Sequence, residues 1–115
     1  MSRRAYQAHK DAHARWPSLA SFLISTLHGD TGRPVQDGVD AALAVMPLAD
    51  RQQLAREWWH WNATAGAVDD VRFAIEAFDS GFAFDTATHA RACMNDVYDR
   101  LIGSVRRGTG DRWKP

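Results

Sequence analysis

The sequence predicts an all-α protein: a compact, single-domain bundle of five or six helices with short loops and little or no strand. Apolar residues recur at spacings of three and four along most of the chain. Pro17, Gly29 to Pro34, Pro47, Ala65-Gly66 and Ser80-Gly81 punctuate those patterns at helix-length intervals. No stretch alternates apolar and polar positions with β-branched residues in strand fashion. With 115 residues, 45% of them apolar, the chain is long enough to build its own core. Residues 1–107 read as that domain, and residues 108–115, Gly-Thr-Gly-Asp-Arg-Trp-Lys-Pro, as a flexible basic tail.

Each helix has its own signature. The first, about Arg3 to Arg15, puts Tyr6, His9, His13 and Trp16 on one stripe. The second starts at Pro17, suited to a first helical position, and stops at Gly29. Its Leu19, Phe22, Leu23, Ile24 and Leu27 place it at the centre of the core. The third, Val35 to Met46, repeats Val35, Val39, Ala42, Leu43 and Met46 before Pro47. The fourth, Ala49 to Ala63, carries three of the five tryptophans. The fifth, Ala67 to Phe78, aligns Val68, Val71, Ile75 and Phe78, with Ala74 beside them. Asp85 reads as the cap of a long sixth helix reaching Arg106, with Ala87, Ala90, Met94, Val97, Leu101 and Val105 on its apolar face and Tyr98 at the edge.

Composition narrows the function. A single cysteine, Cys93, excludes an internal disulfide and any Cys-x-x-Cys motif, and points to a reducing cytoplasm. The N-terminus stays polar after its first positive charges. The apolar run Leu19 to Leu27 contains Ser21, Ser25 and Thr26 and is too short to span a bilayer, so neither export nor a membrane partner is expected. The net charge is zero but unevenly spread, with basic residues in excess over 1–15 and 100–115 and acids in excess between. Arginine outnumbers lysine and aspartate outnumbers glutamate, which reads as codon usage in a GC-rich genome.

Two constellations could carry metal chemistry. His9 and His13 lie one helical turn apart, but Lys10 stands where a zinc protease needs its glutamate, and two ligands fall short of a specific site. His89, Cys93 and Asp96 share the polar side of the sixth helix, with Arg100 one turn on from Asp96. One helix face provides no pocket and no oxyanion site, so an ion pair between Asp96 and Arg100 accounts for it better than catalysis does. No glycine-rich phosphate loop follows a strand.

The strongest functional signals are two aromatics that point the wrong way. Leu54, Trp58 and Trp61 share one stripe of the fourth helix, which turns Trp59 about 100° from Trp58. On the fifth helix, Phe73 lies away from the apolar face, framed by Asp69, Asp70 and Glu76. Each either buries a second side of its helix or is offered to a partner. The leading expectation is a small, non-enzymatic, cofactor-free bacterial protein that binds and neutralises another, basic protein through Trp59, Phe73, Asp69, Asp70 and Glu76. Immunity proteins, antitoxins and phage-encoded inhibitors share this size and character. Burying the same aromatics in a homo-oligomer is its structural variant. A second reading is a nucleic-acid accessory protein using the basic termini, and a third a metal protein using His9 and His13 or His89 and Cys93.

Overall fold

Trp16 sits where one helix ends and the next begins. Its N–H bonds the Ala12 carbonyl at 3.0 Å and its own carbonyl accepts from Ala20 at 2.8 Å. In the computed structural model, which describes residues 10–26, 35–78 and 84–115, α1 covers 10–15 and α2 spans Pro17–Thr26. They are followed by α3 (Val35–Val45), α4 (Leu48–Ala63), α5 (Arg72–Glu76) and α6 (Ala87–Thr109). The all-α expectation holds: there is no strand among the described residues.

α2 starts without a capping side chain of its own, because tryptophan has no acceptor for the orphan N–H groups of the first turn. Glu57, in the middle of α4, supplies it. Its Oε1 accepts from the N–H groups of Ser18 (2.8 Å) and Leu19 (3.3 Å), and its Oε2 from Gln53 Nε2 at 3.1 Å. The carboxylate is only 7% exposed and lies at the positive end of the α2 dipole. One turn further along α4, His60 Nδ1 accepts from the Trp16 indole at 2.9 Å.

The core forms around that grip. Leu19 and Leu23 of α2, Leu54, Trp58 and Trp61 of α4, Val39 of α3, and Met94 and Leu101 of α6 are fully buried. Trp58 meets the Phe22 ring edge-on at 6.1 Å and tilts against Tyr98 at 5.9 Å, while its indole N–H finds no acceptor among the described residues. α4 and α6 run antiparallel. Leu48 sits by Gly108, Arg51 by Ser104, and Trp58 by Tyr98, so positions rise on one helix as they fall on the other.

The predicted apolar face of α6 is buried as expected at Ala90, Met94, Val97, Leu101 and Val105. Its cap is Thr86, not Asp85: the Thr86 hydroxyl accepts from His89 N–H at 3.0 Å. The Asp85 carbonyl instead receives Arg72 Nη1 at 2.8 Å. Ile24, expected among the core residues of α2, is turned outward. Gly108 and Thr109 complete α6, and Trp113 lies half-buried against the core with its carbonyl accepting from Arg106 Nε at 3.1 Å.

α5 is far shorter than Ala67 to Phe78. Residues 67–71 form a bend and turn, and Val68 is exposed instead of joining Val71, Ala74, Ile75 and Phe78 in the core. Three interactions hold the turn. Arg91 Nη2 donates to the carbonyls of Gly66 and Val68, Asp70 Oδ1 accepts from Arg72 N–H at 3.1 Å, and Gly66 packs flat on the Trp61 ring.

Glu57→Ala should lower stability by about 2 kcal/mol or more, because it removes a cap and leaves two N–H groups of α2 without an acceptor. Glu57→Gln, which keeps one acceptor oxygen, should cost less. Urea denaturation of the three proteins checks the order. A Cβ at Gly66 would lie 2.9 Å from the ring of buried Trp61. Gly66→Ala should therefore destabilise by about 1–3 kcal/mol, read as a lowered thermal midpoint.

Candidate protein-binding surface

α4 commits most of its circumference to the core. Leu54, Ala55, Glu57, Trp58 and Trp61 are buried, while Arg56, Trp59 and Ala63, with Ala49, Asp50, Gln53 and His60, are exposed. The angular argument from sequence therefore resolves toward solvent: Trp59 is 57% exposed while Trp58 and Trp61 are completely covered. Its backbone is fixed by a helix pinned at Glu57, at His60 and at Arg51, so only the side chain's own rotamers remain to be ordered by a partner. Arg56, one turn before it, lies over the Trp113 ring at 5.9 Å.

Phe73 is 49% exposed on the short α5, and Val68 in the preceding turn is 48% exposed. Asp69 and Glu76 are exposed beside them in the chain. Asp70 is committed locally: its carboxylate takes Arg72 Nε at 2.9 Å and Nη2 at 2.7 Å. That pairing holds the Asp70 carboxyl below its ordinary range and raises the Arg72 guanidinium. Of the three acids flanking Phe73, Asp69 and Glu76 are the two that make no salt bridge with Arg72, although the charge of Glu76 also acts on that guanidinium. The two aromatics stand on separate helices, Trp59 on α4 and Phe73 on α5.

The other sequence candidates separate. His13 donates from Nε2 to the Phe78 carbonyl at 3.1 Å, and its partner His9 lies outside the described residues. His89 is exposed with its ring edge-on to Phe84 at 5.5 Å. Asp96 accepts from Arg100 Nε at 3.0 Å, and Arg100 reaches on to Asp40 at 2.7 Å. Among the described residues no three His, Cys, Asp or Glu side chains come together to hold a metal ion. Nor is any helix among them long and apolar enough to cross a membrane. Of the basic ends, residues 1–9 are outside the described residues, while Arg107, Arg112 and Lys114 are exposed.

Residue spacing does not single out Glu57 or Arg51, since Glu57 acts on α2 and Arg51 on α6, both distant in the chain. Arg51 donates from Nε to the Met46 carbonyl (3.1 Å) and from Nη1 to the Ser104 carbonyl (2.9 Å) and hydroxyl (3.0 Å). Comparison with protein-family models, with curated proteins and with solved structures finds no match for this chain.

Cys93 is half-buried, and burial, with the nearby negative charge of Asp96, pushes its thiol above the ordinary range. A raised thiol pKa leaves less thiolate at any given pH, so alkylation of the native protein at pH 8 should be slower than that of free cysteine. Asp96→Asn should speed it by removing the smaller of the two causes. Timed iodoacetamide labelling with intact-mass detection measures both rates.

Proposed function

We propose that this chain is a non-enzymatic binding protein that captures and neutralises another protein, with Trp59 as its anchor. One observation carries the reading: an indole more than half exposed on a helix whose neighbouring tryptophans are completely buried. Covering the rest of that ring contributes about 2 kcal/mol to a complex, and the rigid helix loses little freedom in doing so. Tryptophan is also prominent among the residues that dominate interface energies.

Phe73, Asp69 and Glu76 form the second element of the proposed surface. An apolar ring among carboxylates suits a basic partner, whose approach the charges would steer and whose cations they would pair. Asp70 contributes by holding the start of α5 through Arg72. The basic cleft of a nuclease is a target of this kind. Immunity proteins, antitoxins and phage-encoded inhibitors act in this way, and by mode of action the proposal places the chain with them, working in a bacterial cytoplasm.

Tagged protein should retain a stoichiometric partner from nuclease-treated lysate of its source organism. Trp59→Ala should weaken that capture at least tenfold, and the pair Asp69→Arg with Glu76→Arg should slow association most at low salt. Both variants should keep the wild-type circular dichroism, since the three side chains are exposed. Capture undiminished in both would overturn the surface. A mass that rises with concentration in light scattering, and falls in Trp59→Ala, would show that the ring meets a second copy instead. Elution of nucleic acid that salt removes would favour the basic ends.

A further inference from the structure

Away from Trp59 and Phe73, a cleft of about 510 Å³ opens between α3, the first turn of α4 and the second half of α6. Three arginines line it: Arg51, Arg100 and Arg107. Each retains donors. Arg51 uses Nε and Nη1 to hold the α3–α4 turn and Ser104, leaving Nη2 over. Arg100 uses Nε for Asp96 and Nη1 for Asp40, again leaving Nη2. Arg107 is exposed in the last turn of α6, where the helix dipole favours a cation without using any of its N–H groups. None of its five donors bonds a described residue.

The floor of the cleft adds another donor. Ser104 is 6% exposed and accepts from Arg51 Nη1, and its own hydroxyl proton goes to no acceptor among the described residues. Gly103 lies beside it without a side chain, and a Cβ there would stand 3.5 Å from Arg107 Nη1. The guanidinium of Arg107 therefore lies over the Gly103 backbone, at a distance where an added Cβ would just make ordinary contact. On the acceptor side, Asp40 is occupied by Arg100, and Asp99 makes no hydrogen bond among the described residues. The walls present a surplus of N–H and O–H donors around a single open carboxylate.

We propose that this cleft binds a small phosphate ester. One intact guanidinium fork, on Arg107, and single Nη2 groups on Arg51 and Arg100 suit an anion with acceptors in several directions, as a tetrahedral phosphoryl group has and a carboxylate lacks. Arg107, Arg51 Nη2 and Ser104 hold the phosphoryl oxygens, and Asp99 takes a hydroxyl of the organic part. A long polyanion fits less well, because Asp99 and Asp40 would meet its flanking phosphates. The site shares no residue with the proposed protein-binding surface and stands or falls independently of it.

The test is a titration of the full-length protein with glycerol phosphate and with inorganic phosphate, followed by amide chemical shifts and calorimetry. Glycerol phosphate should saturate, with shifts centred on Gly103 and Ser104. Arg107→Ala should bind it about tenfold more weakly with unchanged circular dichroism. Asp99→Asn should lower the affinity for the ester several-fold relative to that for inorganic phosphate, because the lost negative charge favours both anions while the lost hydroxyl contact penalises the ester alone. Absence of saturable binding, or equal affinity in Arg107→Ala, would overturn the proposal. So would a preference for single-stranded oligonucleotides that grows with their length, which would mark a polyanion surface.

Discussion

The carboxylate of Glu57 at the start of α2 is the contact on which the arrangement of the bundle depends. α1 passes into α2 through Trp16 without a loop. A junction of that kind has no local residue to satisfy the N–H groups of the new helix. The chain solves the problem from a distance of almost forty positions, with Glu57 on two amides and His60 on the Trp16 indole. Both come from one face of α4, one turn apart. The direction of α2 across α4 is fixed by hydrogen bonds as well as by apolar packing, and the Phe22 contact with Trp58 follows from that direction.

A second set of constraints radiates from α6. Arg91 holds the carbonyls of the α4–α5 turn, Arg106 that of Trp113, and Ser104 receives Arg51 from the far side of α4. Arg72 reaches the Asp85 carbonyl just before α6 begins. Loop carbonyls that would otherwise depend on water are held by guanidinium groups, whose several donors in one plane can serve two acceptors together. The arginine excess, attributed above to codon usage, therefore also has structural employment. Composition cannot reveal it, because a surface arginine and a loop-holding arginine are the same letter.

Much of the fold was legible because helix periodicity is a local property. The buried faces of α3, α4 and α6 follow from residue spacing alone, whereas the angle between Trp58 and Trp59 only showed that the two rings face different ways, and burial in the fold decides which one is outward. The errors lie where a distant residue outvotes the local pattern. Val68, Val71 and Ile75 have helical spacing, yet Arg91 and the Asp70 to Arg72 bond impose a turn, so α5 starts late and Val68 faces out. Asp85 and Thr86 are both good caps, and what decides between them is that the Asp85 carbonyl is taken by Arg72. The open acids near Phe73 could not be told from the committed one, since Asp69 and Asp70 look alike until Arg72 selects Asp70.

α4 combines the two halves of the proposed function in one element. Its inner face carries the groups that cannot be changed without disturbing the bundle: Glu57, Trp58 and Trp61. Its outer face carries Trp59, more than half exposed. That division puts the exposed ring on a formed helix, whereas a ring on a loop would have to be ordered at each encounter. It also explains why an apolar side chain of that size can persist at the surface. The cost of exposing it is confined to one residue on a helix already paid for by its other side, and α4 gains a fixed, water-facing indole as a result. α5 offers Phe73 on a helix of five residues whose start is held by one aspartate and one arginine. Of the two aromatics, Trp59 is the better anchored, and a binding surface built on both would take its geometry from α4 and its charge from the neighbourhood of α5.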